Sequence, residues 1–511
     1  MESNANPSSS PAPLEWLPLT EAVSFQMLQE HLAGRSSPEV LAQLGQWLAE
    51  LVQHEQYPLE RWLDAMEQIE RLAELHQFRL VPQRLAAPSL QKLCESELWQ
   101  ATQAYWRQLD DAYLHCLLRK PAAEGEGRRE RQDRLAPILS RLMRNLARQH
   151  KGLLLAGKRI EERIWRDLGH GYLLAESLGL SDPPLRQEML KLLMLAVATP
   201  DALPPIQLHI AERITASLAG YFAFGNSPGP ACGFCFELGA QRPPARWQQG
   251  MHPPASGRLR FFGAGSALQA LQGLADQLRR RGSLPPQTAL GGEFQPADIL
   301  AAIQQLEHQW SDTRPARRDA REAARTRLTV VPGLMPALGW LAQQQPEGRL
   351  EPPRSPRTEQ WDASDRSEHG FGTTLPDGPP GWLTVGALMA VEPEAGAAMR
   401  MGMVRRITVG PDGRSHIGVE LLGQQAARVT LHPDLPRQSG GSMPAGQAAI
   451  LLSPHDARTD AAELLLPAGI LEGATRLQMQ LGADSYRLES PVTIAQGRDY
   501  RQVRYSLGLA A

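Results

Sequence analysis

Cysteine is scarce in this chain. Four residues in 511, Cys94, Cys116, Cys232 and Cys235, are too few to staple a protein of this length. That scarcity argues against a disulfide framework and fits a reducing compartment. Net charge is also small, −2 at neutral pH, so the whole molecule has no polyanion-binding character. Any grip on phosphate must come from a local cluster of cations, and nucleic acid is not an expected partner. Long apolar runs are missing too: the strongest, near Leu190 to Ala198, falls short of the roughly 18 residues a membrane span needs. The opening MESNANPSSSPAPLEW has neither a basic nor an apolar leader region, so a cytoplasmic protein is expected. No nucleophile-elbow sequence and no H-E-x-x-H spacing occurs, no metal cofactor is expected, and no repeat of fixed period is visible.

What is present is an α+β multidomain pattern. A Ser/Pro/Asn-rich lead-in covers 1–15, and helical spacing then dominates 16–120. Ser37-Pro38-Glu39 reads as a helix start, with Val40, Leu41, Leu44, Trp47, Leu48 and Leu51 forming one apolar face behind it. Trp47, Trp62, Trp99 and Trp106 fall on helix faces and read as core. Charged residues 121–134 read as a linker, and 135–312 as a helical region with a small α/β insert around Cys232–Leu238 and Arg258–Phe262. From Leu328 onward the pattern is β: LTVV, WLTVGALMAV, MRMGMVRRITV and SHIGVELL, with Pro411-Asp412-Gly413 as a hairpin turn. A Pro/Gln-rich interruption at 341–360 separates the first of these from the rest, and a helix is expected at PALGWLAQQ. We assign 313–432 to one β unit and 433–511 to a β extension or second small β domain.

The chemistry concentrates ahead of the first strand. SDTRPARRDAREAARTRLTVV holds Arg314, Arg317, Arg318, Arg321, Arg325 and Arg327 and no lysine. A planar guanidinium grips phosphate in bidentate fashion and also bonds or stacks on a purine, whereas lysine offers a point charge. Downstream stands Asp365-Arg366-Ser367-Glu368-His369-Gly370. An R-x-x-x-R spacing (Arg317 and Arg321, or Arg321 and Arg325), followed by a strand and then D-x-S-x-x-G, resembles the PilZ family. Met403–Ile407 and Ile417–Leu421 resemble that family's closing hairpin, and the likeness covers about 315–430.

The resemblance implies a six-stranded β barrel that binds cyclic di-GMP and is not an enzyme. Arg317, Arg318 and Arg321 would take phosphate oxygens and the O6/N7 edge of guanine. Asp365 would accept from the guanine N1–H and amine, Ser367 would donate or accept at close range, and Gly370 would let backbone approach. Ligand binding would alter the packing of the barrel on the N-terminal helices and so regulate an unidentified protein partner. Motility, surface adhesion, exopolysaccharide or biofilm formation are the outputs the family implies. The rival reading is a scaffold whose barrel has lost its ligand; an enzyme hidden in the helical region has no constellation to support it.

Three other motifs carry less. Gly291-Gly292-Glu293-Phe294 spells the diguanylate cyclase signature, but it follows Pro285-Pro286 and leads into a helix without the acidic metal ligands. Cys232-Gly-Phe-Cys235 lacks two further zinc ligands and reads as reduced thiols on a strand. Gly263-Ala-Gly265-Ser266 reads as a strand-to-helix turn, with no Walker lysine after it.

Overall fold

The computed structural model describes residues 25–53, 58–86, 93, 96–118, 128–180, 183–247, 257–290, 294–311, 320–344, 357–393, 397–410, 412–433, 446–452, 461–469, 476–482, 484–497 and 499–508. Contacts divide the chain into two units, one formed by 1–84, 94–149 and 171–185, the other by 85–93, 150–170 and 186–511.

The first unit is helical because its apolar residues recur at helical spacing. In the helix Ser37–Gln53 the face Val40, Leu41, Leu44, Trp47, Leu48 and Leu51 is buried. The cap lies one residue earlier than Ser37: the Ser36 backbone N–H donates to Glu39 Oε2 at 2.7 Å, and Val40 N–H donates to the Ser36 carbonyl at 2.9 Å. Glu39 thus closes a capping box, and this bond holds its carboxyl below the usual range. The Ser37 hydroxyl instead lies 3.1 Å from His76 Nδ1. All four tryptophans singled out are at most 6% exposed. Two use their N–H internally, Trp62 toward the Leu51 carbonyl and Trp106 toward Gln77 Oε1. A helix starts at Arg128, inside the charged stretch 121–134, and runs to Leu155. Asn145 and Gln149 on it donate to the buried Asp110 carboxylate, so that buried charge is hydrogen-bonded.

The second unit begins with helices, including Pro205–Ser217, and a four-stranded sheet ordered β1-β4-β2-β3. Its strands are β1 (Ala223–Gly225), β2 (Phe234–Glu237), β3 (Ala245–Arg246) and β4 (Leu259–Gly263). Helices Ala267–Arg281 and Pro296–Trp310 follow, as expected from their spacing. At the glycine turn, Ser266 N–H donates to the Tyr221 carbonyl, and Gly265 has φ +54° with no room for a Cβ against that carbonyl. Backbone fills the place where a phosphate would sit. Cys235 lies on β2 with Cys232 just before it; both thiols are half-buried, and burial raises their pKa. Gly291 to Glu293 lie outside the described residues.

Two closed antiparallel barrels follow, each of six strands. The first contains β5 (Glu322–Pro332), β6 (Glu359–Ser367), β7 (Gly370–Leu375), β8 (Leu388–Glu392), β9 (Arg400–Val409) and β10 (Ser415–Leu421), in the order β10-β7-β6-β5-β8-β9. β5 starts at Glu322 and not at Leu328. Arg325 and Arg327 occupy its outward positions and Ala324 and Thr326 its half-buried ones, so the alternation is real but carries no large apolar residue. Only the end of WLTVGALMAV is strand. Leu383 N–H donates to the Pro380 carbonyl and Ala387 N–H to the Thr384 carbonyl, making turns that drop Leu383 into the barrel core. The helix Leu334–Gln344 leaves the barrel between β5 and β6, where PALGWLAQQ predicts one.

The remaining strands are β11 (Ala426–Pro433), β12 (Gln447–Leu452), β13 (Ala461–Pro467), β14 (Arg476–Leu481), β15 (Asp484–Gln496) and β16 (Tyr500–Gly508). They close in the order β11-β12-β13-β16-β15-β14. Between the barrels, Leu334–Gln344 packs in an apolar layer that includes Val331, Leu341, Met401, Ile450, Leu452 and Tyr500. Fully burying each such side chain is worth roughly 1.5–3 kcal/mol. Among the described residues no helix is long and apolar enough to cross a membrane.

Candidate functional site

Strand irregularities build the mouth of the first barrel. β5 and β6 pair in regular register from Val330↔Glu359 to Thr326↔Ala363, then break, resuming at Ala323↔Asp365. On the other side of β6 the register breaks again, between Ala363↔Thr373 and Asp365↔Gly372. Asp365 is therefore flanked by bulges on both edges. A bulge inserts a residue, bends the strand and re-aims the side chain that follows. The Ser364 hydroxyl fixes the second bulge by donating to the Gly372 carbonyl at 3.1 Å.

The re-aimed carboxylate meets the arginine run. Arg321, one residue ahead of β5, places Nη1 2.8 Å from Asp365 Oδ1, although 44 residues separate the two. Their side chains are 43% and 34% exposed. An ion pair at that exposure is worth about 0.2–1 kcal/mol, so it contributes little to folding. It holds both groups in position while leaving guanidinium donors and carboxylate lone pairs facing water. Arg325 lies further along, on the outward face of β5, and Arg327 beside it faces Asp362 at 3.6 Å. Arg317 and Arg318 lie outside the described residues.

The hairpin from β6 to β7 carries the rest of the motif. The Ser367 hydroxyl donates to the Gly370 carbonyl at 3.3 Å across the turn. Gly370 pairs with Glu420 on β10, and a Cβ there would sit 2.4 Å from the Val419 carbonyl oxygen. Its smallness serves this cross-strand approach. The two residues between them are tied down as well, by the Leu421 N–H on the His369 carbonyl and by Arg400 Nη2 on the Glu368 carbonyl.

Two residues at the site escape a motif search. Gly372 lies under the carboxylate of Asp365, and a Cβ there would come within 2.6 Å of Oδ2. Its signal in the sequence is the GFG that follows the hairpin turn. Arg400 clamps the hairpin to β10's end, with Nε on the Gly423 carbonyl at 2.9 Å. Burial, and then the like charge of Arg366, lowers its pKa. An arginine inside the otherwise apolar Met399-Arg400-Met401 is the trace it leaves in the sequence. The arrangement as a whole offers a fixed carboxylate and fixed arginines at one rim. It suits a ligand that carries both anionic oxygens and N–H donors.

The far side of the same barrel touches the helical part of its own unit. Val409, the last residue of β9, donates its N–H to the Gly157 carbonyl at 2.7 Å and accepts from Arg159 N–H at 3.5 Å. Arg406 Nε pairs with Asp201 Oδ2 at 2.8 Å.

No curated protein matches the chain. Residues 24–229, however, match the family described as "Cyclic-di-GMP receptor FimW, N-terminal domain", so the N-terminal part is similar to that domain and points to a family of cyclic-di-GMP receptors.

Proposed function

We propose that this protein is a non-catalytic receptor that binds cyclic di-GMP at the rim where β5, β6 and β7 meet. The observation that carries the reading is the meeting of Arg321 with Asp365 across 44 residues of sequence. One member of R-x-x-x-R and the first residue of D-x-S-x-x-G would thereby face one ligand. Phosphate oxygens call for the guanidinium groups of Arg321 and of Arg317 and Arg318 just before it, and the guanine N1–H and amine call for the Asp365 carboxylate. Ser367 supplies a hydroxyl beside them, and Gly370 keeps the hairpin flat against β10. The match of the N-terminal region to a receptor of the same messenger supports the reading from an independent stretch of chain.

Binding would act by bridging the arginines and Asp365 at the rim, which shifts the population of barrel positions. The β9 contacts at Val409 and Arg406 offer a route from the barrel to the helices of its own unit. From there a protein partner would sense the change. Surface adhesion, motility, exopolysaccharide and biofilm formation are the outputs that PilZ-type receptors serve.

Titration calorimetry tests this directly. Wild type should bind cyclic di-GMP at micromolar concentration or tighter and ignore GTP, and Arg321→Ala and Asp365→Ala should each weaken binding at least about tenfold. Binding that survives both substitutions would move the site elsewhere. An absence of binding by wild type would make the barrel an assembly module, in which the charges at Arg321 and Asp365 are dispensable.

A further inference from the structure

The two barrels have the same connectivity. Numbering strands one to six within each, both close in the order 1-2-3-6-5-4, with every neighbouring pair antiparallel. The registers also coincide. Thr329 pairs with Gln360 on strand two and Glu392 on strand four, and Thr430 pairs with Ala448 and Gln480 in the same way. Both first strands end in a proline, Pro332 and Pro433. Superposing the pairings sends core residues of strands one to four and six onto core residues, whereas Ile407 of strand five falls on the exposed Thr493. Leu328 and Val330 fall on Val429 and Leu431, Met389 and Val391 on Leu477 and Met479, and Ile417 on Val503. A chance likeness of shape would not keep these inward positions in register on five of six strands.

The copies differ at the rim. Residues 415–427 contain neither Arg nor Lys, where the matching residues 314–326 contain five arginines. Among the described residues no register break interrupts β11 against β12 or β12 against β13. No D-x-S-x-x-G follows β12. They differ too on the outer face of strand two. In the first barrel this face is Gln360, Asp362 and Ser364, all exposed. At the matching positions in the second stand Ala448, Ile450 and Leu452, which pack in the layer formed around the helix Leu334–Gln344. That helix is the connection between β5 and β6, the two strands that bring Arg321 to Asp365. Tyr500 of the second barrel adds a hydroxyl bond to the Gly386 carbonyl at 3.0 Å, and Asp499 accepts from Leu334 N–H at 3.5 Å.

We infer that residues 426–508 are a second copy of the same barrel, without a nucleotide rim, whose strand-two face clamps the β5–β6 connection of the first. It rests on the proposed function only in assigning the nucleotide to the first rim; the clamp stands independently of it. One barrel is the reader and the other is its mount.

Hydrogen exchange on the full chain tests both halves. With saturating cyclic di-GMP, amides at 321–323 and 364–372 should slow, while those at 426–430 and 447–452 keep their rates. Ligand protection confined to, or shared by, the second rim would overturn the assignment. No protection anywhere would sink the receptor reading and leave the clamp to the second arm. There, without ligand, Ile450→Ala and Tyr500→Phe should speed exchange in β5 and β6 as well as in the second barrel, by about tenfold or more for Ile450→Ala. A change confined to the second barrel in both variants would overturn the clamp.

Discussion

At the scale of single residues, the candidate site depends on one absent atom as much as on the charged groups present. Gly372 lies against the Asp365 carboxylate, and a Cβ would stand 2.6 Å from Oδ2 and 3.0 Å from Oδ1. Neither the carboxylate nor the strand backbone can absorb that overlap without moving. Gly372→Ala should therefore weaken cyclic di-GMP binding by tenfold or more while the barrel stays folded, measured by calorimetry beside circular dichroism. Retained affinity would mean that the position of the Asp365 carboxylate does not matter. Gly370→Ala meets backbone instead, the Val419 carbonyl oxygen at 2.4 Å, and should cost the barrel stability as well as affinity. The D-x-S-x-x-G spacing pointed to Gly370; what it could not show was the underside of Asp365, because the register breaks that bring Gly372 there leave no pattern in the sequence.

At the scale of elements, two helix residues of the second unit are buried histidines that should set the acid limit of the fold. His150 is 1% exposed, with its ring 5.5 Å from that of Trp165. Burial lowers its pKa to about 3. His209, on Pro205–Ser217, is lowered to about 4, by burial first and then by the charges of Lys151 and Arg213. Both are neutral when folded and titrate near 6.5 when unfolded. Their neutral forms therefore favour the folded state fully above pH 6.5, and that advantage is lost as pH falls from 6.5 toward 3. The slope is about 1.4 kcal/mol per pH unit for each fully buried ring. Thermal stability should be flat from pH 7 to 8 and decline below 6, and His150→Leu should flatten the decline. An unchanged slope in that variant would place the acid sensitivity elsewhere. The sequence shows these residues only as polar letters on an apolar helix face; their burial is decided by what packs over them.

At the scale of the second unit, the first barrel is held by two joints of different kinds. Toward the second barrel it shares an apolar layer of buried side chains. Toward the helices we find backbone bonds at Val409 and the pair Arg406–Asp201, whose side chains are 54% and 31% exposed. The apolar joint gains roughly 1.5–3 kcal/mol per fully buried side chain, and the ion pair about 1 kcal/mol at most. The polar joint is the one a ligand could shift. Arg406→Asp should lower the unfolding free energy by less than about 1 kcal/mol in a denaturant melt, yet raise the exchange rate of the Val409 amide. A loss of several kcal/mol would mean that this pair is part of the core and not a movable contact.

Periodicity in the sequence by itself determined the helical faces, including the buried stripe from Val40 to Leu51, and the apolar parts of β5, β8, β9 and β10. Residue type and order made the arginine run and D-x-S-x-x-G legible, because a motif of charged and small residues is read from spacing alone. Only the tertiary structure decided that Arg321 reaches Asp365, since two bulges and a closed ring of strands bring them together. It alone revealed the duplication. Matched core positions exchange volume freely: Trp361 falls on Ala449, Phe371 on Ala462 and Val419 on Tyr505. A barrel core must be filled to close packing, but bulk supplied from one strand can be withdrawn from another. Packing conserves the total and the inward direction, and so erases the letter-by-letter likeness that a sequence comparison needs.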